Sequence, residues 1–494
     1  MVRNIILARW GRLAVGIVIV GLFLSLMVPA SWAGERSFRA GAALSNITPP
    51  LGTLLVGEWV PQPAIHVNDQ LWAHCLVLDD GDHRLAIVVA DNLGFCREVA
   101  DAAREWIEQE TGIPGSHVLL AATHTHSGPS ARSPRRLATD ELNEYQHFLA
   151  RRMADGVRMA INNLAPTRIG FGSAALPGDV FNRRWFMQPG DHLKNPFGGM
   201  DQVRMNPPQG SPALIRPAGP TDPEIAFLSL QTVDGQPIAL LANYSLHYVS
   251  GIPAGHVSAG YFGAFTDRIQ QLLQADRLDP PFVGIMSNGT SGDINNRNHS
   301  QGGERQAPNV AMRAVGDRAA HAVADAHHDL EFHDWVSLDA RYDDVTLAVR
   351  KPSDELVATM RRVLEKPEGE PAYHSRERNY ADRVIRQIDA PDHVSVPVQT
   401  LRIGPLGIAA LPFEVFAETG LELKERSPLK PAFTISFANG SYAYLPTPEQ
   451  HELGGYETWL GTSLVEPQAS VKLVDRLLEM FQELSDADSD AQTD

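Results

Sequence analysis

The amino-acid sequence predicts an α/β protein, a layered single domain in which mixed β-sheets are flanked by helices. Three observations support this fold class. Strand-like and helix-like patterns interleave along the chain, as they do in layered α/β proteins. Neither a low-complexity linker nor a repeat of fixed period divides the chain. Its 494 residues are 43% hydrophobic and 20% charged, which is ordinary for a folded domain with a sizeable core.

The first half of the chain begins with alternating strands and helices. Continuous apolar runs predict two buried strands, Arg84–Leu93 and His117–Thr123. Amphipathic spacing predicts two helices, Arg97–Gly112 and Glu141–Leu164. The stretch Phe186–Asp222 is rich in Gly, Pro, Asn and Met and has no clear period. It is either a long loop that shapes a binding site or a plain surface insertion.

The second half contains two hairpins and several helices. Turn dipeptides between apolar strands mark the hairpins, which are Glu224–Thr232 with Pro237–Tyr244 and Val394–Ile403 with Leu406–Leu411. A further apolar run, Pro281–Ser287, is strand-like. Helical patterns cover five segments: Ser258–Leu273, Ala307–His327, Ser353–Glu365, Phe413–Glu425 and Val471–Leu484.

The N-terminus has the pattern of a secretory signal. Three arginines precede an apolar run, Leu13–Val28, and small residues follow at Ser31 and Ala33. We therefore expect a cleaved signal peptide at residues 1–33 and a secreted or periplasmic protein; a membrane anchor is the alternative. The remaining chain divides into a catalytic domain, residues 34–484, and an acidic flexible tail, residues 485–494.

Charge and cysteine content limit the classes of function. The formal net charge is −17, and a strongly acidic protein repels phosphate backbones, which argues against a nucleic-acid partner. The sequence has two cysteines, Cys75 and Cys96. An oxidising compartment permits a disulfide between them, and two buried thiols are an equal alternative.

The strongest chemical signal follows the strand that ends at Thr123. His124 and His126 belong to the sequence Thr-His-Thr-His-Ser-Gly-Pro, and residues i and i+2 of a strand point to the same face. The carboxyl ends of strands are the usual ligand sites of open α/β sheets. Two imidazoles on one side suit a borderline-soft metal such as zinc.

Two further residues could complete such a site. His247 follows the apolar strand that ends at Tyr244 and precedes a Gly-Ile-Pro turn, although a lone histidine there would be ordinary core. Glu414 follows Leu-Pro-Phe after a hairpin strand. It would supply a metal with a carboxylate, or it would begin a helix and gain from the helix dipole.

Two polar segments could bind a developing oxyanion. The turn Gly292–Asn295 follows a strand and offers backbone N–H groups and short side chains. The hydroxyls of Tyr442, Tyr444 and Tyr456 could also donate hydrogen bonds to an oxyanion. Without other signals, the turn would be an ordinary polar loop and the tyrosines aromatic packing.

These segments, in this order, resemble the neutral ceramidase family over roughly residues 38 to 480. The resemblance implies a zinc-dependent hydrolase with the ceramidase catalytic-domain fold. By position it makes His124, His247, Glu414 and Tyr444 the zinc ligands, because Tyr456 then matches the second tyrosine of a pair twelve residues apart. It also places His126 beside the metal and makes Arg183 a substrate contact.

One departure from the family concerns the Gly-Asp turn. Where the family has a serine two residues after this pair, the sequence has Asn295 after Asp293, and an alignment slip would put Ser291 in its place. We therefore predict a zinc hydrolase that attacks an amide with activated water. His126 or a neighbouring group would shuttle the proton, and Tyr456, Arg183 and the Gly292–Asn295 turn would stabilise the oxyanion. The alternatives are another amide, ester or carbohydrate-linked substrate on the same fold, and a non-catalytic binding protein. The expected partner is a small-molecule or lipid substrate, with possible peripheral contact with membrane lipid.

Overall fold

The computed structural model describes residues 36–57, 60–133, 137, 141–303, 306–367 and 369–491. The predicted signal peptide therefore lies outside the described residues. From Ser37 onwards the chain forms one unit. Within the described part, no helix is both long and apolar enough to cross a lipid bilayer.

The larger of the two main sheets has nine strands. Eight of them are β1 (Arg39–Asn46), β2 (Trp72–Asp79), β3 (Arg84–Ala90), β4 (Val118–Ala122), β5 (Ala165–Ala175), β6 (Glu224–Thr232), β7 (Pro237–Tyr244) and β8 (Val283–Asn288). They form the order β8-β7-β6-β5-β1-β2-β3-β4, and the short strand Phe332–His333 pairs with β5. The outer pairs β7–β8 and β3–β4 are parallel and the inner pairs are antiparallel.

This sheet is bent so that its two edges meet. Its halves are joined by a short pairing, in which Arg39 and Ala40 of β1 lie opposite Pro166 and Ala165 of β5. The edge strands then come together, because the Asn288 side chain at the end of β8 donates to the Thr123 carbonyl beyond β4 (3.0 Å). The carboxyl ends of two parallel βαβ units therefore lie side by side.

A second, four-stranded sheet packs against both halves. Its strands are β9 (Leu338–Ala348), β10 (His393–Ile403), β11 (Leu406–Ala410) and β12 (Ala432–Ile435), in that order. Apolar residues of both sheets form one buried cluster. Alternation along a strand explains this packing: in β3, Ile87 and Val89 face that cluster, whereas Val88 and Ala90 face the helices.

Helices cover the outer faces of the sheets. The pair α1 (Arg97–Thr111) and α2 (Glu144–Asn162) packs on one half of the larger sheet. The other half is covered by α3 (Tyr261–Leu272) and α4 (Val310–His327). The remaining helices are α5 (Asp354–Glu365), α6 (Glu377–Ile388), α7 (Ala417–Arg426), α8 (Pro448–Leu453) and α9 (Ala469–Ala491), of which α7 and α9 cover the four-stranded sheet.

The predicted fold class is confirmed, with corrections in detail. The segment Phe186–Asp222 is not irregular throughout, because it contributes a three-stranded sheet: Arg184–Met187, Val203–Met205 and Leu214–Pro217. Glu414 does not begin a helix; it lies in the short strand Glu414–Val415, and α7 starts at Ala417. The last helix continues through the predicted tail to Ala491.

Cys75 and Cys96 are separate, buried thiols rather than a disulfide. Cys75 lies in β2 under α2, with its Sγ 3.9 Å from the Met153 carbonyl oxygen. Cys96 immediately precedes α1. Of the two alternatives that the sequence left open, the structure has the second, and a buried thiol here acts as a small apolar side chain.

Candidate metal centre

The candidate metal centre lies where the carboxyl ends of β4 and β7 meet. His124 follows β4, the last strand of the β3–α1–β4 unit, and His247 follows β7, the first strand of the β7–α3–β8 unit. The bend in the sheet brings the two imidazole rings to a centroid distance of 4.9 Å. A segment beyond β12 closes the gap between the edge strands: Ala122 donates to the carbonyl of Phe437, whose ring stacks on His124 at 3.9 Å.

His124 is held by its backbone and by one hydrogen bond. Strand β4 ends at Ala122, and His124 has a φ of 64°, a conformation that costs a non-glycine residue energy. The predicted reason for pairing His124 with His126, two positions on one strand face, is therefore wrong. Their Nε2 atoms nevertheless lie 3.2 Å apart, because the turn brings the chain back.

Both strand-end histidines have their ring orientation fixed by a backbone carbonyl. Nδ1 of His124 lies 2.7 Å from the Leu93 oxygen, and Nδ1 of His247 lies 3.0 Å from the Ser291 oxygen. A carbonyl only accepts, so each Nδ1 carries the proton and each Nε2 carries a lone pair. This arrangement is characteristic of metal-ligating histidines.

A buried carboxylate faces these lone pairs. Oε2 of Glu414 is 3.7 Å from Nε2 of His124 and 3.8 Å from Nε2 of His247. The strand Glu414–Val415 pairs in parallel with Tyr444–Leu445, which puts Glu414 beside Tyr444. The pairing of these two short strands thus aligns Glu414 and Tyr444, the two predicted oxygen ligands.

The donor set fits zinc. Zinc binds nitrogen and oxygen at roughly 2.0–2.2 Å, so neighbouring ligands of a tetrahedral ion are separated by about 3.4 Å. The separations of 3.2, 3.7 and 3.8 Å between the Nε2 and Oε2 atoms lie near that value. The side chains of His124, His126 and His247 offer ligand atoms within 4.8 Å of one another. His126, predicted to stand beside the metal, is therefore placed as a possible ligand itself.

Burial keeps these imidazoles neutral. It lowers the pKa of His124 and of His247 well below the ordinary value, and neighbouring histidines add to the effect. Burial, followed by the charge of Arg132, lowers the pKa of His126 to about 3. Neutral imidazole is the form that coordinates a metal or accepts a proton.

Arg183 donates a hydrogen bond to the Tyr444 hydroxyl and so fixes its position. Its Nη2 donates to the Tyr444 hydroxyl (3.0 Å) and to the Gly292 carbonyl (2.7 Å), while its Nε donates to Glu457 (2.9 Å). These contacts occupy most of its donors, so the structure favours a positioning role over the predicted oxyanion contact. Burial, followed by the charge of Glu414, raises the pKa of Tyr444 well above its ordinary value.

The residues predicted around the metal share one cavity of about 210 Å³. Tyr456 lines it with its ring 5.6 Å from that of Tyr444. His124, His126, Arg183, His247, Glu414 and Tyr444 also line it. The four predicted ligands and three of the five other predicted site residues therefore lie together.

Asp293 and Asn295 are the exceptions, because neither lines this cavity. Asp293 accepts hydrogen bonds from the Ala417 amide at the start of α7 (2.9 Å) and from Asn182 (2.6 Å). Asn295 donates to Asn206 (2.6 Å). The Gly292 amide donates to Val415, so it is not available as an oxyanion donor. Short turn sequences do not reveal such partners.

Ser291 does not take the place of the family's serine either. It is buried, its hydroxyl donates to Asn288 (2.7 Å), and its carbonyl orients His247. The turn therefore orients His247 and receives the first amide of α7.

Asp293 makes stability depend on pH. Burial raises its pKa to about 7, although the Ala417 amide opposes the shift. The folded state thus holds this proton more tightly than the unfolded state, so its contribution to stability is lost as pH rises from about 4 through 7. The unfolding free energy of the Asp293→Asn variant minus that of the parent should therefore be larger at pH 8 than at pH 5. The gain is several kcal/mol at most, since one pKa unit corresponds to about 1.4 kcal/mol.

Urea denaturation of parent and variant at both pH values measures this difference. A constant offset is expected as well, because the new amide faces the Asn182 amide. An offset that stays the same at both pH values would contradict the assignment.

Sequence reasoning missed several residues at the centre. Phe437 stacks on His124, and Tyr248 stacks on His126 at 3.6 Å. Arg383 of α6 lines the cavity together with Tyr248. Tyr248 directly follows His247 in sequence, so adjacency could have found it. The other two lie in segments without a motif.

The fold and the site together define a class: an α/β protein with mixed sheets and a centre of histidines and one carboxylate at strand ends. Within that class, the chain resembles the neutral ceramidase family, as its motifs predicted. It is 24% identical over 249 residues to the neutral ceramidase of Pseudomonas aeruginosa, a match that covers 48% of this chain and 34% of that protein's length.

Solved structures agree on the fold. The crystal structure of neutral ceramidase from Pseudomonas aeruginosa matches with a TM-score of 0.68 and 18% identity, covering 92% of this chain and 75% of that one. A ceramidase complexed with C2 matches with the same TM-score and identity, covering 76% of that chain. No family model matches the chain.

Proposed function

We propose that this protein is an exported zinc-dependent amidohydrolase of the ceramidase type. The observation that carries the proposal is the convergence of His124, His247 and Glu414, with ligand atoms 3.7 and 3.8 Å apart and both Nδ1 atoms bonded to carbonyls. The likeness to neutral ceramidase supports the amide as the scissile bond. The signal-like N-terminus supports export.

Zinc bound by these residues would supply Lewis acidity, which polarises a carbonyl and makes water nucleophilic near neutral pH. His126 is half-buried and neutral beside the centre, so its imidazole can accept a proton from the attacking water and return it to the leaving amine. Tyr456 faces the same cavity and can donate to the developing oxyanion. Arg183 donates to the Tyr444 hydroxyl and would fix its orientation if Tyr444 bound the zinc.

A second candidate keeps the zinc centre and changes the substrate. The position of the family's serine is held by Asn295, which bonds to Asn206 and lies outside the cavity. This departure favours an amide or ester other than ceramide, since fold alone does not fix a substrate.

The test combines a metal assay with matched substrates. Protein purified without chelators should contain about one zinc per chain and release dodecanoate from N-dodecanoylsphingosine. A chelator should abolish turnover, and one equivalent of zinc should restore it. If ceramide is not hydrolysed but a matched dodecanoyl ester or another dodecanoyl amide is, the second candidate is favoured. Undiminished turnover after complete removal of zinc would contradict both.

A further inference from the structure

A second cavity, of about 460 Å³, adjoins the metal centre. Met205, Asn206 and Tyr456 line both cavities. A substrate whose scissile bond lies at the zinc ligands would therefore extend past Tyr456 into this second space. The residues that line this cavity therefore indicate which chemical group of a substrate would bind there.

The lining of this cavity is charged. Lys194, Arg204 and Arg376 contribute cations, and Arg383 adds one from the adjoining metal cavity. The chain as a whole has a net charge of −17, so a cluster of arginines at this position runs against the overall composition. An alkyl chain would gain little from such walls.

The two acids of the cavity are already engaged. Asp201 accepts hydrogen bonds from Asn195 (3.0 Å) and from the Trp459 indole (2.7 Å). Asp191 is paired with Lys194 at 3.1 Å. Neither carboxylate is paired with Arg204 or Arg383 among the residues that the structure describes, so four cations stand against two carboxylates here.

Arg204 and Arg383 have no carboxylate partner among the residues that the structure describes. Arg204 is partly buried on the strand Val203–Met205. Arg383 donates only to the Gly461 carbonyl and the Thr462 hydroxyl and covers the Tyr380 ring. Arg376 lies near enough to Arg383 that, after burial, their mutual repulsion contributes to lowering the pKa of Arg376. Like charges held together in a cleft are the arrangement that binds an anion.

We propose that the substrate carries an anionic oxyacid group, a carboxylate or a phosphate, and that Arg204, Arg376 and Arg383 bind it beside the zinc centre. This inference rests on the proposed hydrolase function and narrows its substrate class. Guanidinium groups match both anions through paired hydrogen bonds. The group lies on whichever half of the amide enters the second cavity.

Matched substrate pairs test the proposal on the zinc-loaded enzyme. N-Dodecanoylglycine and N-dodecanoylethanolamine differ only in a carboxylate on the amine half. N-Dodecylsuccinamate and N-dodecylbutyramide differ in a carboxylate on the acyl half. Ceramide 1-phosphate and ceramide test a phosphate. In at least one pair, we expect kcat/KM to favour the anionic member by at least about tenfold, the factor of one charge-assisted hydrogen bond.

Arginine variants connect the preference to this cavity. Arg204→Gln and Arg383→Gln should each reduce the preference for the anionic member by about tenfold. Arg216→Gln is the matched control, because Arg216 is exposed on a neighbouring strand, covers Phe186 and lines neither cavity. It should leave the preference unchanged.

The outcomes distinguish a failure of the anion proposal from a failure of the proposed hydrolase function. If neutral members are hydrolysed at least as fast as anionic ones in all three pairs, the anion proposal is overturned and the hydrolase function stands. A preference that survives both arginine substitutions also overturns it. If zinc-loaded protein cleaves no amide or ester at all, the proposed function fails, and the inference fails with it.

Discussion

Replacing His124 and His247 together should abolish zinc binding and lower turnover by at least about a thousandfold. This exceeds the 10–100-fold loss typical of a partner that only orients a ligand. The reason is geometric: both strand-end nitrogen donors disappear, and Glu414, Tyr444 and the half-buried His126 remain as an incomplete ligand set for a tetrahedral ion. Metal analysis of purified protein and the rate of amide cleavage measure the two effects.

A loss of zinc binding must be distinguished from a loss of folding in these variants. His124 has a φ of 64°, so His124→Asn, which tolerates this conformation, is preferable to alanine there; His247→Ala suffices at the other strand end. His256→Ala is the matched control, because His256 bonds to Asn68 and lies outside the cavity. Retained zinc stoichiometry in the double variant, with a thermal midpoint like the parent's, would refute the metal centre.

The sequence predicted this centre better than its surroundings. His124, His247 and Glu414 each follow an apolar strand, and strand ends in α/β proteins are where ligands bind. That rule works without knowing how the strands pair. It holds here because the larger sheet bends and brings its two edges together, a long-range feature with no local sequence signal.

The predicted site residues that lie outside the cavity have partners far away in the chain. Asp293 and Asn295 were predicted to help stabilise an oxyanion because they belong to a turn of small polar residues that follows a strand. The structure instead bonds Asp293 to the first amide of α7 and Asn295 to Asn206. Polar side chains in a turn look alike in sequence whether they face a cavity or cap a helix.

The arginines of the second cavity were missed for a related reason. Arg204 lies on a three-residue strand and Arg376 just before α6. Neither segment has a motif, and a single arginine is usually a solvated surface residue. Their significance comes only from being gathered at one place in an acidic protein.

The substitution Glu457→Gln should cause a large loss of stability. The Glu457 side chain is fully buried and accepts from Nε of Arg183 (2.9 Å) and Nη1 of Arg184 (2.7 Å). Arg184 is fully buried as well. Glutamine would retain one acceptor and remove the carboxylate with which both buried guanidinium groups are paired. Breaking a buried pair in this way costs about 3–5 kcal/mol. Urea denaturation should therefore give an unfolding free energy lower by that amount.

The surface carboxylate of Glu110 provides a matched control for this prediction. Glu110 also bridges two arginines, Arg151 and Arg158, but in contact with solvent. Exposed ion pairs contribute little because water and salt screen them, so Glu110→Gln should change stability far less than Glu457→Gln. Because Arg183 also donates to the Tyr444 hydroxyl, the buried substitution should lower turnover too, whereas the surface one should not. Equal losses of stability in the two variants would mean that Glu457 is not the buried countercharge of both arginines.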